Sequence, residues 1–303
     1  MNALITGANG FIGKHLIDRW IMLDDVRIFA LTRVDNNKWE KIHHLTADVL
    51  DEYAIDNIFQ EHEFDVVVHL AALTEHDAIV NHKYDTFDVN LRGTTNILKA
   101  FNKYCKDALF VFASTGKVYG KTNELPITEH ALTNPTNILG KSKRIVEEVI
   151  DFYAEPYNKY LICRIFNVFG EYQKRNFVLP TIIEQLDEEK ICLGNTRDFR
   201  DYIYIDDCVN ALLACINSQE KLSNVDIINI GSGEPISVLD IMDVVRCLIG
   251  KELKVMVEEK RKRKDETFAE YCDNSKLVNL SGWCKEFSLE AAIEKTLKAE
   301  GIL

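Results

Sequence analysis

The chain has few of the features that mark membrane, metal-binding or disulfide-stabilised proteins. No stretch of its 303 residues approaches the roughly 20 consecutive apolar residues of a membrane span. Its eight cysteines are scattered, and no two of them form a C-x-x-C pair. We therefore predict no membrane segment, no zinc site and no disulfide framework, and we interpret the cysteines as reduced thiols.

An excess of positive charge is also missing. The formal net charge is −12, which argues against a nucleic-acid partner because phosphate binding needs a basic face. The basic run at 260–264 is interpreted as solvated surface. The histidines show no constellation that would hold a metal ion, so we predict no metal site. The histidines considered are His43, His44, His62, His69, His76 and His82.

Tandem repeats, low-complexity tracts and flexible linkers are absent, and 47% apolar content is ample for a sizeable core. What the chain does contain is an alternation of short apolar runs and amphipathic segments. Strands are predicted at 3–6, 26–32, 66–70, 109–113, 160–165 and 227–230. Helices are predicted at 11–22, 52–62, 88–105, 140–155, 178–188, 206–218 and 238–249. This alternation indicates an α/β fold with a doubly wound parallel sheet, the Rossmann arrangement.

Two interleaved units are predicted. Residues 1–169 would form a dinucleotide-binding domain, with strand and helix contributions from about 200–235. Residues 170–303 would form a smaller C-terminal substrate-binding lobe, because the pattern becomes irregular there. A ligand is expected between this lobe and the carboxyl ends of the strands.

The first strand runs directly into Gly7, Gly10 and Gly13. In a strand–turn–helix context the first glycine allows the tight turn, the second admits a pyrophosphate, and the third lets the helix pack closely on the sheet. The helix N-terminus would then face the phosphates. Because this motif begins so early, no signal or transit peptide is expected, and we predict a cytoplasmic protein.

Further motifs follow in a fixed order. They are Thr6-Gly7-x-x-Gly10-x-x-Gly13, Asp48-Val49, His69-Leu70-Ala71-Ala72, Asn90 with Gly93-Thr94, Ser114-Thr115-Gly116-Lys117-Val118-Tyr119-Gly120, Lys143 with Glu147, Arg164-Ile165-Phe166-Asn167-Val168-Phe169-Gly170 and Arg200-Asp201-Tyr202-Ile203-Tyr204-Ile205-Asp206-Asp207. Over nearly its whole length, the chain resembles the extended short-chain dehydrogenase/reductase family of nucleotide-sugar epimerases, dehydratases and 4-ketoreductases.

The resemblance implies a set of cofactor-binding and substrate-binding residues. Those implied for the dinucleotide are Gly7, Asn9, Gly10, Phe11, Ile12, Gly13, Arg33, Asp48, Val49, Leu70, Ala71, Ala72, Asn90 and Lys143. Those implied for the sugar nucleotide are Thr74, Thr115, Asn167, Arg200 and Arg263. Arg200 would contact the diphosphate, for which the charge and fork of a guanidinium are suited.

The family's chemistry needs a hydroxyl-bearing Ser or Thr, a proton-exchanging Tyr, and a Lys four residues after that Tyr. Thr115 and Lys143 fit the first and last roles. The tyrosine position, however, holds Leu139. Leucine has no proton to exchange, so either the usual catalytic step is lost or another group carries the proton.

Lys117 is our candidate for that other group. The stretch 134–144 resembles nucleotide-sugar dehydratases in which Tyr is replaced and an Asp-Lys pair follows the Thr. This chain has the lysine but Gly116 where the Asp would be. The missing carboxylate counts against dehydration, which needs a base at C5 and an acid at the C6 hydroxyl.

The end of the second strand bears on the choice of cofactor. Thr32 and Arg33 stand where NAD-binding proteins usually place an acid, and an arginine suits the 2′-phosphate of NADP. Asp35 weakens that argument. NADP is therefore slightly favoured over NAD.

The sequence thus predicts an NAD(P)-dependent enzyme that modifies a nucleoside-diphosphate sugar by hydride transfer at the ring, as a 4-epimerase or 4-ketoreductase rather than a dehydratase. The alternative is a catalytically altered or non-catalytic dinucleotide-binding protein on the same fold, because of Leu139. The resemblance also implies a homodimer held by a four-helix bundle, formed by the helices at 88–105 and 140–155. These helices carry more apolar residues than one core-facing stripe needs, namely Leu91, Ile97, Leu98, Phe101, Ile145, Val146, Val149, Ile150 and Phe152.

Overall fold

A central sheet of seven parallel strands organises the chain in the computed structural model, which describes residues 1–23, 25–34, 39–74, 83–261 and 268–303. The strands are β1 Asn2–Thr6, β2 Arg27–Thr32, β3 His43–Thr46, β4 Val66–His69, β5 Leu109–Thr115, β6 Lys159–Ile165, β7 Asn167–Phe169, β8 Lys190–Leu193, β9 Phe199–Tyr204, β10 Val225–Ile230, β11 Pro235–Ser237, β12 Lys254–Val257 and β13 Ala269–Glu270. The α-helices are α1 Phe11–Trp20, α2 Glu52–Glu61, α3 Lys83–Phe87, α4 Thr94–Tyr104, α5 Ile138–Tyr153, α6 Val178–Ile183, α7 Ile205–Asn217, α8 Val238–Ile249, α9 Ser275–Ser281 and α10 Leu289–Ala299.

The strand order of the central sheet is β10-β6-β5-β4-β1-β2-β3. All neighbouring pairs are parallel. The order reverses on either side of β1, which pairs with β2 on one edge and β4 on the other. A crevice opens at such a switch point, at the carboxyl ends of the strands. The predicted doubly wound parallel sheet is confirmed.

Successive residues of the strands pack into two different cores. Ile5 of β1 belongs to the cluster that contains Leu16 of α1, whereas its neighbour Leu4 belongs to the cluster that contains Phe101 of α4. Because side chains alternate across a strand, helices on both faces of the sheet demand strands that are apolar at every position. This explains why the strands appear in the sequence as continuous apolar runs.

The smaller lobe contains more regular structure than the irregular pattern suggested. Its strands form a four-stranded sheet, in which β9 pairs with β11, β13 and β7, and a two-stranded pair of β8 with β12. These short strands pair across long stretches of chain, so local periodicity does not reveal them. The chain leaves the central sheet after Ile165, since β7 already pairs with β9. The boundary between the dinucleotide-binding domain and the substrate-binding lobe, expected between residues 169 and 170, remains a prediction.

Three local predictions were wrong in detail. β3 was missed because its sequence, His-His-Leu-Thr, is short and half polar. The helix expected at 88–105 is a π-helix at Asp88–Gly93 followed by α4. The helix expected at 178–188 ends at Ile183.

Within the described residues, no helix is long and apolar enough to cross a membrane, and no three His, Cys, Asp or Glu side chains converge in a way that could hold a metal ion. His76 and His82 lie outside the described residues. All eight cysteines lie within them, and their thiols are free.

Candidate active site

The turn after β1 can be made only by small residues. Gly7 has φ of +68°, and a Cβ there would lie 2.7 Å from the backbone nitrogen of Ala71. A Cβ on Gly13 would lie 2.5 Å from the carbonyl oxygen of Gly7. The first constraint comes from the loop after β4 and the second from the turn itself. Glycine is therefore required at both positions by the backbone around them.

This turn leaves the N-terminus of α1 open towards a cleft. Gly10 is the N-cap residue, no side chain caps the helix, and its first turn contains no acidic residue. Phe11 and Ile12 line the cleft. The Oδ1 atom of Asn9 is buried without a hydrogen-bond partner. Free helix N–H groups and an approach without side chains fit the pyrophosphate end of a dinucleotide. The Asn9 oxygen is an acceptor, so it suits a donor group of a ligand rather than a phosphate oxygen.

Gly10→Val is expected to weaken dinucleotide binding by at least about tenfold, or about 1.4 kcal/mol. A Cβ at Gly10 would already lie 2.9 Å from the carbonyl oxygen of Gly7, and the branched side chain would occupy the approach to the helix. Calorimetric titration with NAD and NADP measures the effect. Gly250→Ala is the control, because it changes a glycine at the distant C-cap of α8. Unchanged affinity in Gly10→Val would contradict the assignment of this turn.

The loop after β4 forms the next part of the cleft wall. Leu70, Ala72 and Thr74 line the cleft. The loop is anchored to the end of β1, since the backbone N–H of Ala71 donates to Thr6 Oγ1 at 3.2 Å. The same threonine hydroxyl lies 2.7 Å from Nδ1 of His69. Burial, and then the charge of Lys143, lower the pKa of His69 to about 3, so this imidazole is neutral and structural at physiological pH.

Asn90 lies behind this loop rather than in the cleft. It is fully buried, and its Oδ1 accepts from the backbone N–H of Leu73 at 2.8 Å. Its Nδ2 donates to the carbonyl oxygen of Leu73 and to the hydroxyl of Ser142, both at 3.1 Å. The predicted cofactor contact of Asn90 remains a prediction. In the structure its amide connects the loop to α5.

The residues predicted for the adenine end stand at the carboxyl edge of two neighbouring strands. β2 and β3 pair in register up to Thr32 and Thr46, which brings Arg33 and Asp48 to the same edge. Arg33 is exposed. Asp48 Oδ1 accepts from the N–H of Leu50 at 2.9 Å, and the side chain of Val49 packs in the core. Only a backbone contact of Val49 could therefore reach a ligand.

Thr115 and Lys143 meet at the carboxyl end of β5. Thr115 is the last residue of that strand, and both residues line the cleft. The Nζ of Lys143 donates to the carbonyl oxygen of Ala113 at 2.6 Å and lies 4.5 Å from the ring centroid of Phe112. The first and last members of the predicted catalytic set are thus brought together.

The environment of Lys143 disfavours its charged form. Burial lowers the pKa of Lys143 to about 7, against the opposing effect of the Glu147 carboxylate. Glu147 is itself occupied, because its oxygens accept from Arg164 at 2.8 and 3.1 Å and from the hydroxyl of Ser114 at 2.5 Å. Lys143 can therefore change protonation near neutral pH.

Leu139 stands one helical turn before Lys143 and lines the same cleft. Two other tyrosines near this part of the chain, Tyr119 and Tyr153, do not supply the missing hydroxyl. Tyr119 is fully buried, its hydroxyl donates to Asn229 at 2.6 Å, and burial raises its pKa to about 12. Tyr153 is 56% exposed at the end of α5 and does not line the cleft. Neither replaces the hydroxyl that Leu139 lacks.

Lys117 has a carboxylate partner that the sequence did not reveal. Its Nζ lies 3.0 and 2.9 Å from the two carboxylate oxygens of Glu270. Gly116 leaves the expected position empty, but β13 brings a carboxylate to Lys117 from 153 residues away. No sequence spacing could have indicated this pair.

The small lobe supplies the remaining predicted residues. Asn167 Nδ2 donates to the carbonyl oxygen of Asp201 at 3.0 Å. Arg200 is 6% exposed, and its guanidinium donates to the carbonyl oxygen of Phe199 at 2.7 Å. Asn167 and Arg200 both line the cleft. Arg263 lies outside the described residues.

Together these walls enclose a cleft of about 2510 Å³. Pockets for drug-sized ligands typically measure about 300–1,000 Å³, so this cleft has room for a dinucleotide and a second ligand. The described lining residues include nine lysines and arginines against seven aspartates and glutamates. In a chain of net charge −12, this local excess of positive charge favours anionic ligands.

The fold and the cleft define a dinucleotide-binding α/β protein whose second lobe closes over the carboxyl ends of the strands. The sequence profile of the NAD dependent epimerase/dehydratase family matches residues 3–231. The chain belongs to this family.

Several relatives match the chain over almost its whole length. The chain is 32% identical to a putative UDP-glucose 4-epimerase of Methanocaldococcus jannaschii, over 97% of this chain and 96% of that protein. It is 29% identical to a GDP-6-deoxy-D-talose 4-dehydrogenase of Aggregatibacter actinomycetemcomitans, over 98% and 97% of the two chains. Among solved structures, UDP-glucose 4-epimerase of Thermotoga maritima with UDP-glucose superposes with a TM-score of 0.88 at 28% identity, over 99% of each chain.

Proposed function

We propose that this protein is an NAD(P)-dependent enzyme that modifies a nucleoside-diphosphate sugar by hydride transfer at ring carbon C4, as a 4-epimerase or a 4-ketoreductase. One observation carries the proposal. A single cleft joins the open glycine turn, Thr115 and Lys143 to a buried arginine, Arg200, from the second lobe. Relatives named for reactions at C4 of UDP- and GDP-sugars support it.

The residues divide between two ligands. The turn at Gly7–Gly13 and Lys143 would hold the nicotinamide cofactor, which supplies hydride transfer when bound. Arg200 and Asn167 would hold the sugar nucleotide, and the planar guanidinium matches diphosphate oxygens. Thr115 offers a hydroxyl to the sugar oxygen that gains or loses a proton. These groups orient the sugar ring towards the nicotinamide side of the cleft.

Dehydration is disfavoured by the surroundings of Gly116. A Cβ at this position would lie 3.0 Å from the ring of Phe166, so the site does not admit an acidic side chain without movement. The nearby carboxylate belongs to Glu270 and is held in an ion pair with Lys117. Elimination of water needs a free base at C5 and an acid at the C6 hydroxyl, and this arrangement does not offer both.

The choice between the two nicotinamide cofactors depends on the end of β2. Arg33 is exposed there, and Thr32 uses its hydroxyl to donate to the carbonyl oxygen of Val34 at 2.9 Å. An arginine at this position favours the 2′-phosphate of NADP. We therefore keep NADP as slightly favoured within an NAD dependent family. We also keep a cytoplasmic location as our expectation.

Incubation with a panel of UDP-, GDP-, CDP- and dTDP-sugars tests the proposal, with NAD and NADP offered separately. Epimerisation with catalytic amounts of cofactor would identify a 4-epimerase, and stoichiometric oxidation of the reduced cofactor by a 4-keto sugar would identify a reductase. Tight binding of sugar nucleotide and cofactor without turnover would instead favour the non-catalytic alternative suggested by Leu139.

A homodimer through α4 and α5 is the proposed assembly, but fewer residues can form it than the sequence suggested. Several apolar residues expected at the partner surface are buried in the core of the chain itself. These are Ile97, Leu98, Phe101, Val146 and Ile150. On α5, Ile145 is 38% exposed and Phe152 is 79% exposed. Seven residues apart, they lie on one helical face, with Val149 between them.

Light scattering at micromolar concentration is expected to give twice the mass of the chain, and Phe152→Asp is expected to give the monomer mass. An aspartate would bring an unpaired charge into an apolar interface. Tyr53→Asp is the control, because Tyr53 is equally exposed but lies on α2. A wild-type monomer would contradict the proposed dimer.

A further inference from the structure

The ion pair between Lys117 and Glu270 joins the two lobes inside the cleft. Lys117 belongs to the short 3₁₀ turn after β5, and Glu270 is the last residue of β13 in the small lobe. The Lys117 side chain is 21% exposed and that of Glu270 is 9% exposed. An ion pair this far from solvent is screened weakly, and its geometry is held on both sides by regular structure.

The backbone of Lys117 lies next to the helix turn where the family's tyrosine is missing. A Cβ on Gly140 would come within 2.4 Å of the carbonyl oxygen of Lys117. The backbone of Lys117 is thus packed against the residue that follows Leu139. Lys117 also follows Thr115 closely, and its N–H donates to Thr115 Oγ1 at 3.3 Å. Lys117, Thr115 and Leu139 all line the cleft.

Glu270 is also adjacent to the residue proposed to bind diphosphate. β13 and β9 are parallel, and Glu270 is in register with Arg200. Paired residues on neighbouring strands project to the same side of a sheet. Glu270 and Arg200 therefore project to the same side of the small sheet, where the guanidinium of Arg200 also lies 3.6 Å from the carboxylate of Asp198. Lys117, Glu270 and Arg200 all line the cleft.

We propose that Glu270 is the positioning residue that holds the ammonium of Lys117 in the cleft that Leu139 also lines, where Lys117 exchanges the proton that the family's tyrosine would exchange. This inference rests on the proposed function. In the direction of ketone reduction, the reduced nicotinamide cofactor would supply the hydride to C4 when bound. An N–H bond of Lys117 breaks, its electron pair stays on Nζ, and the proton forms the new O–H bond on the C4 oxygen. Solvent then restores the ammonium.

Glu270→Gln is expected to lower kcat by about 100-fold, the lower range for loss of a positioned general acid. KM should change by no more than about threefold, because glutamine keeps the shape and the polarity of the wall. Glu270→Asp should recover part of the loss, since it keeps the charge at a shorter reach. The split between kcat and KM, with this rescue, distinguishes positioning of Lys117 from a general structural defect.

A double-mutant cycle tests whether the two residues act as one unit. Lys117→Met alone leaves Glu270 without its partner, whereas the double variant Lys117→Met/Glu270→Gln removes both charges of the pair and leaves neither uncompensated. We expect the double variant to be no slower than Lys117→Met. Glu189→Gln, which removes an exposed carboxylate outside the cleft, is the matched control and should turn over as the wild type does.

Two results would overturn the inference while leaving the proposed function intact. One is wild-type kcat in Glu270→Gln, and the other is additive losses in the double variant. A wild-type protein that converts no nucleotide sugar in the panel would contradict the proposed function and this inference together. Melting temperatures of all variants, measured alongside, identify any variant that has lost its fold.

Discussion

Lys143→Met is expected to reduce turnover by at least about 100-fold while making the cofactor-free protein more stable near neutral pH. The two effects have opposite signs because the same burial causes both. Lys143 is 3% exposed, and its amine has Ala113 as acceptor and the ring of Phe112 beneath it. Folding must therefore desolvate an ammonium or lose its proton. Methionine fills a similar volume without that cost.

The pH dependence of the effect follows from the lowered pKa of Lys143, about 7 in the folded protein against 10.5 ordinarily. Between these values the unfolded chain binds more protons than the folded one, so wild-type stability rises with pH. The contribution approaches about 1.4 kcal/mol per pH unit. The stability advantage of Lys143→Met should thus be largest below about pH 7 and shrink as pH rises towards 10.

Denaturant unfolding of both proteins at several pH values between 6 and 10 measures this difference. Subtracting the wild-type curve from the variant curve cancels the other titrating groups that the two proteins share. Lys106→Met serves as the control, because Lys106 is exposed on the surface. A stability difference that does not change with pH would show that Lys143 is charged in the fold.

Leu139→Tyr is expected to restore about 100-fold in turnover to the inactive Lys117→Met variant, yet to change the wild-type rate by less than about threefold. Leu139 and Lys143 are four residues apart on α5, so a tyrosine hydroxyl would share the helix face of the lysine. In the wild type Lys117 already carries the proton. In Lys117→Met the new phenol provides a second route.

Leu139→Phe in the same background is the matched control, because it supplies the ring without the hydroxyl. Rates are compared with the sugar nucleotide that the wild type converts, under saturating cofactor. A large gain from Leu139→Tyr in the wild-type background would mean that no other residue has taken over the role of the tyrosine. A wild-type rate in Lys117→Met would remove Lys117 from the mechanism and leave Thr115 or a bound water as the next candidate.

The parts of the site that could be predicted from sequence are those made by neighbouring residues. The turn from Gly7 to Gly13 is encoded within one strand–turn–helix segment, and its steric demands act over a few residues. The i,i+4 relation of Leu139 and Lys143 is also local. Helix periodicity alone shows that these two positions share a face, and the structure places both in the cleft.

Contacts across the chain could not be predicted in this way. Asn90 belongs to one of the family motifs. Whether its amide faces a ligand or the loop at Leu73 depends on how α5 packs against that loop. Ile97 and Phe101 were expected to be available to a partner subunit, because the apolar residues of the predicted helix at 88–105 cover more than one face of that helix. The core of this chain covers them instead. Burial depends on neighbours that sequence periodicity does not identify.

The sequence by itself determined the parallel sheet, the dinucleotide turn and the absence of the usual tyrosine, because apolar runs, glycine spacing and residue identity are local properties. Only the tertiary structure decided that Lys117 has a partner. Glu270 lies on a two-residue strand whose position depends on β9, and a charge separated by 153 residues contributes nothing to local patterning. The energy of that contact exists only once both lobes have folded against each other.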